Sequence, residues 1–186
     1  MGIRTDQPSP LVVAVDMGYG HLRAAWPLAE HLGTTVSRAD LAPYSGALER
    51  IAWKIIKRLD ERLSRLSLNR VPGHPVLLLL VRLTAIQATT AFSDARRADR
   101  AACALVRLVD IGFGEKLSRE LHRTGAPLLT TFYAPALAVD RQASSPIFCV
   151  VTDSDIHRVW APANGAESRI HYLVPTEATA KRLLSY

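Results

Sequence analysis

Cysteine is scarce in this chain of 186 residues. Cys103 and Cys149 are the only two, and no short spacing joins them. That excludes a disulfide framework and a Cys-rich metal knuckle, and it fits a reducing compartment. Lysine is scarce too, at 54, 57, 116 and 181 only, so the net charge of +6 is carried mostly by arginine. A long clean apolar run is missing. The most apolar segment, PVLLLLVRLTAIQATTAF, is broken by Arg82 and by polar residues, and it falls short of the ~20 residues a spanning helix needs. The polar start, MGIRTDQPSP, leads into an apolar run at Leu11–Val15 that is too short for a secretory signal. These absences point to a cytoplasmic protein able to sit peripherally on the inner face of a membrane without crossing it. Repeats, low-complexity tracts and a convincing domain boundary are also missing, so 1–186 is expected to be a single domain.

What is present is enough apolar material for a core, 48% of the residues, in an α/β order. Leu11–Val15 is a short continuous apolar run, as in a buried parallel strand. Gly20–Leu32 has helical periodicity, with Leu22, Ala25, Trp26, Ala29 and Leu32 on one side and Gly33 as the stop. TTVSRADL follows as a second strand and completes a βαβ unit. Four helical patterns come next: 44–66, 76–92, 96–109 and the glycine-bounded GFGEKLSRELHRTG. NRVPGHP (69–75) is a loop within them. PLLTTF, PIFCVVTD and RIHYLV read as strands. A last helix, PTEATAKRLL, is opened by Pro175 with Glu177 in its first turn. The expected fold is α/β, a Rossmann-like parallel sheet flanked by helices, with an enlarged helical insertion at about 44–110. The final helix reaches Tyr186 without a Gly or Asn cap, so a further half is expected to follow.

The turn after the first strand is Asp-Met-Gly-Tyr-Gly-His. In a doubly wound sheet, ligands bind at the loops beyond the carboxyl ends of the strands. Gly18 and Gly20 permit positive φ and close approach of a ligand to the backbone. The helix behind them offers free N–H groups to a polar acceptor. His21, in the first turn, can take a proton from a hydroxyl near neutral pH. The spacing is equally compatible with a plain strand-to-helix turn carrying a solvated histidine. It is not a dinucleotide fingerprint, because Arg23 stands where the third glycine would be, and no G-K-[ST] follows to make a phosphate loop.

DMGYGHLRAAWPLAEHL resembles the opening of glycosyltransferases that build glycolipids, the monogalactosyldiacylglycerol synthases and processive diacylglycerol glucosyltransferases. PLLTTFYAPA, PIFCVVTDSDIHRVWA and RIHYLVPTEATAKRLL resemble, in order, that family's later strands and its P-[ST]-E helix. The likeness covers about 10–42 and 126–186. It departs at Tyr19, where the family has a central glycine, and at Phe132, where histidine is common. The resemblance implies the acceptor-binding half of a GT-B fold, with the donor-binding domain absent from this chain. It makes His21 the candidate base and Asp153 its catalytic partner, with Gly18, Tyr19, Gly20, Thr131, Tyr133, Thr152 and His157 around the acceptor. No cofactor is expected in the chain itself. A nucleotide sugar would enter as co-substrate, and a lipid or carbohydrate hydroxyl as acceptor.

VTDSDIHR also sets Asp153, Asp155 and His157 at alternate positions, and two carboxylates with an imidazole can hold a divalent metal. The competing reading makes Asp153 a strand-end residue ordering the cleft floor near His21, and no metal is expected. In the long helix, Tyr44, Leu48, Ile51, Ile55, Leu59, Leu63 and Leu66 form one apolar stripe, which is expected to pack on the domain's own core. Its other face carries Arg50, Lys54, Lys57, Arg58, Arg62 and Arg65, with Trp53 near the border. Such a face suits anionic headgroups. A non-catalytic module docking on an anionic membrane or a protein partner is therefore the alternative function. No RNA-binding aromatic motif or helix-turn-helix is recognisable, and nucleic acid is not an expected partner.

Overall fold

A computed structural model describes residues 8–68, 100–153, 156 and 158–186. Five strands form one parallel sheet: β1 (Leu11–Ala14), β2 (Val36–Arg38), β3 (Leu128–Thr130), β4 (Ile147–Val150) and β5 (Ile170–Leu173), in the order β2-β1-β3-β4-β5. β1 is flanked on both sides, with Val12 opposite Val36 on one strand and opposite Leu129 on the other. The Rossmann-like α/β fold expected from the strand pattern is therefore present. The chain leaves β1 toward β2, then returns across β1 to build β3, β4 and β5. The strand order reverses between β1 and β3, the position at which ligands of doubly wound sheets bind.

Alternation along the strands divides two cores. Val12, Ala14 and Leu129 face α1 (Tyr19–His31), which buries Ala25 and Ala29 against them. Val13, Leu128, Ile147 and Cys149 face the opposite layer. That layer holds α2 (Ala47–Leu68), α3 (Arg100–Asp110), α4 (Glu115–Thr124), α5 (Tyr133–Val139) and α6 (Glu177–Ser185). Ala25 and Ala29 are small enough to let α1 lie close on the sheet. Trp26 and Leu32, expected on the same buried side, are exposed. Gly33 stops the helix at φ 63, a left-handed conformation that costs other residues strain.

One helix was not expected, and two further expectations are corrected. The helix α5 was hidden between two strand patterns, because its seven residues are too few for a periodic signal. Pro175 does not sit in the last helix. It precedes the N-cap, Thr176, whose hydroxyl accepts from Thr179 N at 3.0 Å. Of the apolar stripe, Tyr44 packs against the core, but Leu48, Ile51 and Ile55 on α2 do not face it: they are 83, 54 and 51% exposed, and the side chains of Leu59, Leu63 and Leu66 lie outside the described residues. The helix is turned instead so that Trp53, 4% exposed, enters the core beside Phe113 at 5.0 Å between ring centroids. One indole in a fitted aromatic slot outweighs three aliphatic side chains on the opposite face. Trp53 is thus no membrane-surface residue. The pattern at 76–92 lies outside the described residues. Among those described, no helix is long and apolar enough to cross a membrane.

Glu49 locks this rotation. It is the third residue of α2 and reaches back to Gly46 N at 3.3 Å, half of a capping box. Its other oxygen accepts from Gly114 N at 3.2 Å. Ser45 and Trp53 add attraction without reaching hydrogen-bond geometry. Burial nevertheless pushes the Glu49 carboxyl above the ordinary glutamate range. Gly114 is needed for two reasons. Its φ is 82, and a Cβ there would come within 2.5 Å of the Ala138 methyl on α5. Gly114→Ala is expected to lose about 1–3 kcal/mol in urea unfolding, whereas Gly165→Ala, which meets no atom within 4 Å, stays near the wild type. Equal midpoints for the two variants would refute the close packing of α4 on α5.

Candidate functional site

The site begins where β1 stops. Met17 N bonds back to Val15 O at 2.9 Å, which turns the chain sharply. Gly18 follows at φ 93, ψ 158, a conformation open to glycine and closed to side chains. α1 starts at once, with no side chain capping its first N–H groups and no acid in its first turn. His21 is its third residue. Gly20 lies inside the first turn without positive φ, so of the two glycines only Gly18 is required by the backbone.

Three strand ends converge on the His21 ring. Thr131, just past β3, offers its carbonyl to His21 Nδ1 at 2.9 Å. Its hydroxyl donates to the backbone carbonyl of His21 at 2.8 Å, so the two residues clasp each other. Thr152, just past β4, brings its Oγ1 to within 2.9 Å of the same Nδ1. Phe132 stands edge-on to the imidazole at 4.8 Å and Trp160 lies at 6.2 Å. Both are buried, and Tyr133 packs against both at 4.3 and 5.3 Å. A short 3₁₀ turn, Arg158–Trp160, presents the tryptophan. Arg158 holds that turn by donating to the carbonyls of Ala161 and Pro162 at 2.9 and 3.0 Å.

The chemistry of the ring follows from these partners. A carbonyl oxygen only accepts, so Nδ1 must carry hydrogen to bond Thr131. In the neutral imidazole the lone pair is then on Nε2. No hydrogen bond to Nε2 exists among the described residues. Nδ1 is thus held by two oxygens, and the chemistry left to Nε2 is that of a proton acceptor.

Most of the site residues expected from sequence are gathered here. Gly18, Gly20, His21, Thr131, Tyr133 and Thr152 surround one strand-end region. Tyr19 opens α1 with its ring 79% exposed. Asp153 is exposed and makes no hydrogen bond or ion pair with His21 among the described residues, so the neighbour that reaches the ring is Thr152. Asp155 and His157 lie outside the described residues, as do the side chains of Arg62 and Arg65 on α2. Lys54 and Arg58 are exposed on that helix. Lys57 is not a free surface cation: its Nζ donates to Asp16 at 2.7 Å. Phe132 and Trp160, which wall the ring, were not expected at the site. Trp160 occupies a turn with no periodicity to betray its burial.

Asp16 leads a second cluster at the ends of β1 and β2. Arg38 bridges it at 3.4 Å and grips Asp40 through two nitrogens at 2.5 and 2.7 Å. The hydrogen bond from Lys57, then the charges of Lys57 and Arg38, hold the Asp16 carboxyl below the ordinary aspartate range, against the effect of burial. No protein-family model, curated protein or solved structure matches this chain. The fold and the site together define a Rossmann-like α/β protein with a histidine at the sheet's switch point.

A depressed carboxyl stabilises the fold above its unfolded pKa and loses that contribution as pH falls through the folded one. The urea midpoints of wild type and Asp16→Asn should therefore differ at pH 6–7 and converge below about pH 4. Glu49 titrates in the opposite sense, so comparison with the variant cancels it. A gap that stays constant with pH would show that the Asp16 charge contributes nothing.

Proposed function

We propose that this chain is the acceptor-binding half of an inverting glycosyltransferase, acting with a second domain or chain that binds a nucleotide sugar. His21 Nε2 takes the proton from an acceptor hydroxyl as the oxygen bonds to the sugar's anomeric carbon. The bond from that carbon to the diphosphate breaks, and the nucleoside diphosphate leaves with the electron pair. The carrying observation is the His21 ring, held at Nδ1 by Thr131 and Thr152 beside the switch point of the sheet. The resemblance of the glycine loop and later strands to glycolipid synthases supports a lipid hydroxyl as acceptor. Asp153, exposed and apart from the ring, has no role in this reading.

Diacylglycerol in mixed micelles should shift the amide NMR signals of Gly20, Thr131 and Thr152, while a uridine diphosphate alone leaves them in place. Sugar transfer from UDP-glucose or UDP-galactose should require the donor-binding half. It should fall by about 10²–10⁴-fold in His21→Ala, the range for loss of a general base. Signals that answer the nucleotide and ignore the acceptor would reverse the assignment of the two halves. Silence toward both would overturn it.

A second reading, a non-catalytic module on an anionic membrane, is favoured by one feature: the exposed Leu48, Ile51 and Ile55 on α2 beside Lys54 and Arg58. Aliphatic side chains rimmed by cations match an acyl–headgroup boundary. On this reading, flotation with vesicles rich in phosphatidylserine carries the protein upward, neutral vesicles do not, and Ile51→Asp with Lys54→Glu abolishes binding. Flotation indifferent to lipid charge and to both replacements would eliminate it.

A further inference from the structure

Two oxygens meet one ring nitrogen at His21, and they are chemically unlike. The Thr131 carbonyl can only accept, while the Thr152 hydroxyl can accept or donate. If Thr152 donated to Nδ1, that nitrogen would carry a lone pair and face the Thr131 carbonyl at 2.9 Å with no hydrogen between them. Both contacts are favourable only when Nδ1–H is shared between the two oxygens. Thr152 then accepts from the ring, and its own hydrogen points elsewhere. The Thr131 contact is built into the backbone, through the reciprocal bond from its hydroxyl to the His21 carbonyl at 2.8 Å. Thr152 is the side-chain member, delivered by a different strand.

We propose that Thr152 is a positioning residue that, with the Thr131 carbonyl, holds His21 in the Nδ1–H form and keeps the lone pair on Nε2. The orienting partner of this base is thus a neutral pair, where many histidine bases use a carboxylate. The carboxylate next to Thr152 in sequence, Asp153, is exposed and makes no hydrogen bond to the ring among the described residues. When Nε2 takes up a proton, Nδ1–H keeps both acceptors, so the imidazolium forms without any rearrangement of the ring. Phe132 and Trp160 lie beside the ring, while Thr152 and the Thr131 carbonyl hold its Nδ1 edge.

The catalytic meaning of this pair rests on the proposed role of His21 as base, but the tautomer is measurable without substrate. Long-range ¹H–¹⁵N correlation spectra, with His21 assigned by its loss in His21→Asn, should show the neutral wild-type ring in the Nδ1–H form. Thr152→Val should give a mixture of tautomers or an exchange-broadened ring. Thr152→Ser, which keeps the hydroxyl, should restore the wild-type pattern. Thr152→Ala serves if the valine variant is too unstable to measure. An Nε2–H ring in the wild type overturns the proposal, as does a valine or alanine variant whose ring signals match the wild type. In a sugar-transfer assay Thr152→Val should lower kcat by roughly 10- to 100-fold, the range for losing an orienting partner, with the acceptor KM little changed. Asp153→Asn should alter neither. The expected tautomer together with no sugar transfer would count against the glycosyltransferase reading and leave the positioning role of Thr152 standing.

Discussion

The clasp between His21 and Thr131 is the contact on which the site depends. Its two hydrogen bonds join the first turn of a helix to the end of a strand 110 residues away in sequence. Each such bond adds only about 1 kcal/mol to stability, so its importance is geometric. It brings an imidazole to the place where the strand order reverses, and there Thr152 adds a second oxygen at Nδ1. The sharp turn at Gly18 lets α1 start at Tyr19, so that His21 lies in its first turn beside the ends of β3 and β4.

The uneven layering of helices serves the same place. Among the described residues α1 lies alone on one face of the sheet, and the other helices share the opposite face. Phe132 links the two regions. Its ring lies 4.8 Å from His21, 6.2 Å from Trp160 and 6.4 Å from Trp53 on α2. The helical insertion is therefore joined to the histidine through packed aromatic rings. Glu49 fastens the start of that insertion to the turn before α4, so α2 presents Trp53 inward and Leu48, Ile51 and Ile55 outward.

Charge near the strand ends is balanced locally despite the net surplus of arginine. Asp16 and Asp40 engage Arg38, and Asp16 also engages Lys57. Two acids thus neutralise two of the cations closest to the sheet and leave Lys54 and Arg58 exposed to solvent. The depressed carboxyl of Asp16 and the raised one of Glu49 differ for a physical reason. Two cations surround the first, whereas burial dominates over neutral donors at the second.

Much of the fold was readable from local order. Continuous apolar runs marked the strands, glycines marked the turns at Gly18, Gly33, Gly114 and Gly125, and their alternation with helical patterns implied a parallel sheet. His21, Thr131 and Thr152 could be singled out because each follows a strand, where ligands of such sheets bind. By itself the sequence could not say which atom of Thr152 or Asp153 would meet the ring, since adjacent residues point to opposite sides and the turn decides between them. Nor could it say which face of α2 is buried. A helical stripe records which residues are apolar, but the available slot between Phe113 and Phe132 accepted an indole. The strand-end turns and the shape of that slot arise only when distant segments pack together, and they decided the site.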